Sequence, residues 1–575
     1  MLTLRINPFR IWLTCAIGLA ACAPSSVGAQ GVASTWQYAG RARVADARSA
    51  MVVSGSPIAS AVGRDILRQG GNAIDAAVAV GMTLQVVHPQ AGNIGGGGFM
   101  TIRLKDGTVQ TIDYREMAPA AANRDMYLNL RGNPSDLSAV GPLAAGVPGS
   151  VAGMVEAHRK YGKLPWATVM APAIRYAKEG FVVDSVRSNS IDGYWDRLYL
   201  FPASRAAYLP NGRAPAIGST LVQPDLARTL EAIRDSGWAG FYRGRVADLI
   251  VEEMKRDGGI ITHADLENYH AIWRDPIKLS YRGYTIYSMP PASSGGVTMG
   301  MIFNIMEGYG KLPPFGSPEL LHREAEAMRR AFTDRNVFLG DPGFVHMPIE
   351  HLLSKTYADS LRTTTSMDRA TPTPQFDPSL RGGTETTHYS VVDADGNAVS
   401  CTTTLNDSYG SGVTVAGAGF LLNDEMDDFA SAPGKPNVYG LVQGEANAIA
   451  PGKRMLSAMT PSIVLDSEGK LFMVIGTPGG PTIITQVYHV ISNVIDHGMS
   501  LADAIAAPRM HHQALPDSMR LERNGFTPET IARLQAMGHG IQFSGWWGDV
   551  EAIIRTKTGW QGVSDPRLGG GGSGY

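Results

Sequence analysis

Thr386-Thr387-His388-Tyr389-Ser390-Val391-Val392-Asp393-Ala394-Asp395-Gly396-Asn397-Ala398-Val399-Ser400-Cys401-Thr402-Thr403-Thr404 is the stretch on which the reading of this chain turns. Two β-branched runs flank Asp395-Gly396, a strong hairpin signal. Folding about that dipeptide brings Thr404 opposite Thr386, within one residue of register. A threonine hydroxyl is a poor nucleophile unless a base stands beside it, and one recurrent solution uses the residue's own α-amine once the preceding peptide bond is cut. That amine has an unperturbed pKa of roughly 8, so an appreciable fraction is neutral near physiological pH. In this role Thr386 requires the Glu385–Thr386 bond to break, leaving a large chain 30–385 and a small chain 386–575.

The chain has 575 residues, 44% hydrophobic and 18% charged, which is ample for a large core. Its formal net charge is −2 and no basic stripe is interleaved with aromatics, which argues against nucleic acid and for a small substrate. Arg5 and Arg10 precede the apolar run Ile11 to Ala21, too short to span a membrane and shaped like an export signal. Cleavage after Ala29 makes 1–29 a signal peptide and the product periplasmic or secreted. The alternative is Leu19-Ala20-Ala21-Cys22, which resembles a lipobox and would leave a lipid anchor on Cys22. Cys401 is then the lone cysteine of the mature body, a packed strand residue with no disulfide framework around it.

Small residues from Gly70 to Val80 start a closely packed helix. Gly92 to Met100, with four successive glycines, leads into strands Thr101 to Leu104 and Val109 to Tyr114. No Gly-Lys-Ser/Thr follows those glycines and a strand comes next, so tight backbone packing explains them better than a phosphate cradle. Residues 145–375 read as mainly helical, with a helix start at Ser317-Pro318. The segment 363–384 has loop composition, a sensible place for a cut. Strands return beyond 386, at Ser462 to Asp466 and Leu471 to Gly476, before a helix from Val487 to Asp496. Strands on both sides of residue 386 suggest one layered α/β unit made by both chains. His511-His512 lacks the carboxylate or cysteine company of a metal site, and no metal or other cofactor is expected.

Thr386 to Asp393, with Asp113-Tyr114-Arg115-Glu116-Met117-Ala118-Pro119 and Gly479-Gly480, resembles the gamma-glutamyltransferase (gamma-glutamyltranspeptidase, glutathione hydrolase) family. The likeness runs over nearly the whole mature chain. It includes Leu339-Gly340-Asp341-Pro342, Met426-Asp427-Asp428-Phe429, Pro436-Asn437-Val438-Tyr439-Gly440 and Ser564-Asp565-Pro566-Arg567, in the family's order. The resemblance implies an N-terminal nucleophile hydrolase with a four-layer αββα sandwich, self-cleaved into a heterodimer. It would act on glutathione or other γ-glutamyl compounds and pass the acyl group to water or to amino acid and peptide acceptors.

Residue by residue, the resemblance makes Thr386 the nucleophile and Thr404 its hydroxyl partner. It sets Arg115 on the substrate α-carboxylate, a group that suits a guanidinium fork. Asn406, Glu425 and Asp428 fall to the α-ammonium. Gly479 and Gly480 would offer N–H groups to the oxyanion, a donor worth about 2.7–4 kcal/mol of barrier. The segment Asp424 to Ser457, with Tyr439, resembles a lid absent from some acylase relatives. One departure stands out: Ser457-Ala458 replaces a common pair of serines, and a lost hydrogen bond to a charged group costs roughly 1.5–3 kcal/mol, about tenfold or more in carboxylate affinity. Trp546-Trp547-Gly548-Asp549-Val550-Glu551 is a second departure whose effect the sequence leaves unread. Two rivals remain, an N-terminal nucleophile acylase acting on glutaryl-type amides and an unprocessed binding lipoprotein.

Overall fold

A computed structural model describes residues 31–373, 386–437 and 439–575. The export-signal reading, Cys22 and Glu385 lie outside the described residues. The hairpin forms with strand Thr386–Val392 antiparallel to Ala398–Thr404, and Thr386 is the direct partner of Thr404. Asp393 closes the turn by accepting from the N–H groups of Asp395 and Asn397. Its other oxygen accepts from Ala73 N–H at 2.9 Å, which ties the turn to the first residue of helix Ala73–Val87. That helix is buried along its whole length, as its run of small residues predicts.

Both hairpin strands are buried throughout and sit inside a seven-stranded sheet. Its order is Gly571–Gly574, Met51–Ser54, Thr386–Val392, Ala398–Thr404, Gly97–Arg103, Val109–Tyr114, Ile272–Arg274. A second seven-stranded sheet runs Arg43–Ala47, Trp560–Ser564, Glu551–Arg555, Leu471–Gly476, Ser462–Leu465, Tyr284–Ser288, Ile277–Tyr281. Both sheets therefore mix strands from before and after residue 386.

Three apolar seams stack the layers. Helices Pro57–Arg68 and Ala73–Val87 cover the first sheet through Ile66, Val78, Met100 and Val391. Met51, Val53, Val392, Ile463, Val474 and Ile553 fill the space between the sheets. Helices Gly295–Glu307, Pro318–Phe338 and Thr482–Ile495 close the second sheet through Phe303, Met328, Ile475 and Val487. The result is the four-layer αββα sandwich that the resemblance implies. Cys401 is buried in its strand, its sulfur 3.0 Å from the Tyr114 hydroxyl.

Two element starts need correction, and one hairpin went unread. The stretch 145–375 is mainly helical as expected, but within it Ile277–Tyr281 and Tyr284–Ser288 form a hairpin about Arg282-Gly283, both at positive φ. The alternation of buried Ile277, Leu279 and Tyr281 was its unread signal. Strand Gly97–Arg103 begins before Thr101, since Gly97 and Gly98 already pair with Thr404 and Thr403. These glycines buy closeness: a Cβ on neighbouring Gly96 would stand 2.0 Å from the Thr404 carbonyl oxygen. The helix expected from Val487 starts at Thr482, its first turns carrying polar Thr485 and Gln486 that bond inward.

Alternation along Thr386–Val392 sends Tyr389 toward the helices and Thr386, His388 and Ser390 toward the second sheet. His388 packs on Gly476, where a Cβ would lie 2.3 Å from its ring. Gly476→Ala is expected to overpack this contact at a cost of about 1–3 kcal/mol, read as a lowered urea midpoint with an unchanged m-value.

Candidate active site

The paired threonines stand at the end of a cleft of about 330 Å³. Thr386 Oγ1 lies 3.3 Å from Thr404 Oγ1. Thr404 Oγ1 accepts the N–H of Asn406 at 2.9 Å, so its own proton is available to Thr386. Asn406 takes the left-handed conformation, φ +78°, where the strand ends. Its Nδ2 donates to the Asp424 carbonyl at 3.1 Å. Tyr439 donates to the Asn406 side-chain and main-chain oxygens, at 2.9 and 3.0 Å, which fastens the segment Asp424 to Ser457 over the cleft.

Arg115 follows directly on strand Val109–Tyr114 and is fully buried. Its Nε donates to the Met455 carbonyl at 3.2 Å, and its two terminal nitrogens meet Glu425 and Asp428. Glu116 lies 3.5 Å from the same guanidinium. Burial disfavours the charged Arg115, but Glu425, Asp428 and Glu116 outweigh it and raise its pKa. Burial in turn raises the pKa of Glu425 and Asp428, with Arg115 pulling the other way. Glu425, Asp428 and Glu116 outnumber Arg115 and Arg335, the second arginine acting on Asp428 from the same cleft, and leave a surplus of negative charge that protons or an added cation must balance.

The opposite wall comes from Ser457, Ala458 and Gly480. Gly479 and Gly480 sit at φ +134° and +55°, which side-chain-bearing residues rarely adopt. Among the described residues neither N–H of this pair has an acceptor. The turn is pinned behind by Thr482 Oγ1, which donates to the Gly479 carbonyl at 2.7 Å, and a Cβ on Gly480 would press on the Tyr439 ring. Ser457 Oγ accepts Met459 N–H at 3.1 Å, while Ala458 brings only a methyl group to the cleft.

The structure thus gathers Thr386, Arg115, Asn406, Glu425, Asp428, Tyr439, Ser457, Ala458 and Gly480 around one cleft, with Thr404 behind and Gly479 beside it. Glu425, read from the resemblance as an ammonium ligand, here faces Arg115. Sequence reading missed Arg335, a buried lining residue whose Nε donates to Ser294 Oγ at 2.9 Å. Burial lowers its pKa to about 10. Its signal was its place four residues ahead of Leu339-Gly340-Asp341-Pro342.

His511 and His512 do point apart, toward Thr485 and Gln513 on one side and Ala514 N–H on the other. Among the described residues His322, Glu326 and His539 come close enough to hold a metal ion. Their atoms are already engaged: His322 Nδ1 lies 2.8 Å from His539 Nε2, and Glu326 accepts from Arg329, Arg330 and Thr371.

A family model described as "Gamma-glutamyltranspeptidase" matches residues 59–575. The chain is 46% identical over 528 residues to the "Glutathione hydrolase proenzyme" of Escherichia coli (strain K12), covering 91% of each. It is similar to the solved structure of Helicobacter pylori gamma-glutamyltranspeptidase, 44% identical with a TM-score of 0.54 over 55% of this chain and 92% of that one. The cephalosporin acylase from Bacillus halodurans is 29% identical with a TM-score of 0.84, over 94% of this chain and 98% of that one.

Asp113 holds the base of the cleft. Its Oδ1 accepts from Arg115 N–H at 2.9 Å and from Arg454 at 2.7 Å, and its Oδ2 from Arg274 at 2.8 Å. Burial alone would raise its pKa, but the two arginines lower it overall. A depressed pKa contributes stability above the ordinary carboxylate value of about 4 and loses it as pH falls. Asp113→Asn is expected to cost about 3–5 kcal/mol at pH 7 in urea unfolding, and to shrink that gap from wild type as the pH drops below about 4.

Proposed function

Because this chain belongs to the gamma-glutamyltranspeptidase family, we propose that its facing threonines carry the family's chemistry, with Thr386 as nucleophile. The protein is a γ-glutamyl hydrolase/transferase made as a proenzyme. The observation that carries the site assignment is the Thr386–Thr404 hydroxyl pair at the end of the cleft that Arg115 and Asp428 line.

In this reading Glu385–Thr386 is cut first, and the freed α-amine becomes the base. Thr386 Oγ1 attacks the γ-carbonyl carbon of glutathione or a related amide while the amine takes its proton. Thr404 supports the attacking oxygen with the O–H that its bond to Asn406 N–H leaves free. The N–H groups of Gly479 and Gly480 receive the oxyanion. The amine returns its proton to the leaving nitrogen, and water or an amino acid or peptide acceptor then takes the γ-glutamyl group from the Thr386 ester. No cofactor enters these steps.

The charge around Arg115 supports a zwitterionic donor. Its α-carboxylate would take Arg115 and Ser457, and its α-ammonium would offset the surplus acid of Asp428 and Glu425 beside Asn406. Net charge in the cleft is unchanged by a zwitterion, while each buried ion gains a partner. A glutaryl amide lacks the ammonium, so its carboxylate would add to that surplus and leave Asp428 and Glu425 without the cation. The acylase reading is nevertheless favoured by the likeness to the Bacillus halodurans acylase. Among the described residues no helix is long and apolar enough to cross a membrane. Export through residues 1–29 to the periplasm is part of this proposal, with a lipid anchor at Cys22 as its alternative, and the product is a heterodimer of chains 30–385 and 386–575.

Denatured intact mass should give two chains for the wild type, the smaller starting at Thr386, and one unbroken chain for Thr386→Ala; a single chain in both removes the nucleophile assignment. Chromogenic γ-glutamyl anilide should be cleaved well ahead of the glutaryl anilide, and the reverse order would put the acylase first. Ala458→Ser restores a donor beside Ser457 and is expected to lower KM for γ-glutamyl donors by about tenfold, with little change in kcat.

A further inference from the structure

Just past Thr404 the chain turns through two residues that carry side chains in a region glycine favours. Asn406 sits at φ +78° and Tyr409 at +64°, followed by Gly410 at +54° and Gly412 at +79°. A residue with a Cβ holds this conformation where its surroundings impose it. The outcome reaches the facing threonines directly. In this conformation Asn406 N–H donates to Thr404 Oγ1 at 2.9 Å, and Thr404 Oγ1 stands 3.3 Å from Thr386 Oγ1.

The constraint comes from before the cut, out of helix Trp195–Leu200. One terminal nitrogen of Arg197 donates to the Gly410 carbonyl at 2.8 Å, and the other meets Asp407 Oδ2 at 2.7 Å. The stem of Arg197 lies against Gly412, where a Cβ would stand 2.7 Å from its Cγ. Asp407 Oδ1 accepts from the Tyr194 hydroxyl at 3.3 Å and from Ser408 N–H at 2.9 Å. Asp407 N–H donates to Asp424 Oδ1 at 2.9 Å, and Asp424 Oδ2 lies 3.9 Å from Arg197. One guanidinium therefore stands between two neighbouring acids. Burial disfavours its charge, but Asp407 and Asp424 outweigh burial and raise its pKa. Burial and then Asp407 push the Asp424 carboxyl well up, with Arg197 pulling it back. Farther along, Tyr409 N–H donates to the Gln90 carbonyl at 2.9 Å, and its hydroxyl lies 3.0 Å from Ser190 Oγ.

We propose that Arg197 is a positioning residue for Thr404: by bridging Asp407, Asp424 and the Gly410 carbonyl it fixes Asn406 at positive φ, and so aims the Thr404 hydroxyl at Thr386. The proposal deepens the γ-glutamyl reading above and rests on it. Arg197 is not among the residues that line the cleft, so it acts through the turn and not on the substrate. Without the guanidinium, Asp407 and Asp424 face each other as like charges and the Gly410 carbonyl loses its donor. The turn is then free to leave the left-handed region, and Asn406 N–H swings off Thr404 Oγ1. Thr404 keeps its hydroxyl but loses the bond that orients it, so support for the attacking oxygen of Thr386 weakens. Arg115, Ser457 and Asp428 stay in place. An interaction of this kind is felt in the transition state, so kcat and kcat/KM fall together while KM holds.

The test uses mature enzyme, its two chains confirmed by denatured mass, and a γ-glutamyl anilide. Arg197→Ala is expected to lower kcat and kcat/KM together by about tenfold or more, and Arg197→Lys, which keeps the charge, to recover part of the loss. The deciding comparison is made in Thr404→Val, which has no hydroxyl to aim. There Arg197→Ala should lower kcat by little more, because the residue it acts through is gone. Asp407→Asn breaks the same ion pair at a half-buried carboxylate, and the same comparison with it decides the matter if Arg197→Ala does not fold or mature. An undiminished kcat in Arg197→Ala, or a full second loss in the Thr404→Val background, overturns the role of Arg197 and leaves the γ-glutamyl reading standing. A wild type that does not cleave the anilide at all takes down that reading, and the role of Arg197 with it.

Discussion

The antiparallel pairing of Thr386 with Thr404 is the constraint on which the rest of this structure depends. Side chains alternate faces along a strand, so a slip of one residue would turn Thr386 toward the helices and bring Thr387 into its place. The register is held well away from the Thr386 end. Asp393 locks the turn and fastens it to helix Ala73–Val87, Tyr389 and Val391 are buried among the helices, and His388 and Ser390 engage the second sheet. Each attachment supports the same alignment, which is how a hydroxyl at a strand end comes to be placed without a rigid loop around it.

The second organising fact is electrostatic. A guanidinium fully removed from water survives only with partners, and Arg115 finds them in its neighbour Glu116 and in Glu425 and Asp428, 310 and 313 residues further along the chain. Asp113, two residues earlier, fixes the backbone of Arg115 and also holds Arg454, whose chain continues into Met455, Ser457 and Ala458. The wall that would bind a substrate and the wall that faces it are thus tied through one buried carboxylate. Tyr439 completes the enclosure by bonding Asn406, itself bonded to Thr404, so the lid and the threonine pair are linked through hydrogen bonds rather than through apolar packing alone.

Much of this was legible in the residues. Asp395-Gly396 between β-branched runs was enough for the hairpin and for its register to within one residue, because turn chemistry and strand propensity are local. The glycines from Gly95 to Gly98 were rightly read as close packing. Arg335 was not found, because an arginine inside a helix looks like a surface charge until the tertiary structure shows it facing a cavity. The hairpin at Arg282-Gly283 was lost among helical neighbours, its alternation only five residues long on each side.

The interleaving of strands has a consequence for the two chains that cleavage before Thr386 would produce. Strand Thr386–Val392 lies between Met51–Ser54 and Ala398–Thr404, and Ala398–Thr404 in turn pairs with Gly97–Arg103. Neither chain holds either seven-stranded sheet complete, and both contribute to the apolar seams. Such a pair is a heterodimer in covalent structure but a single cooperative body in its energetics. Dilution would not dissociate it and partners would not exchange between molecules, because separating the chains means exposing the entire core.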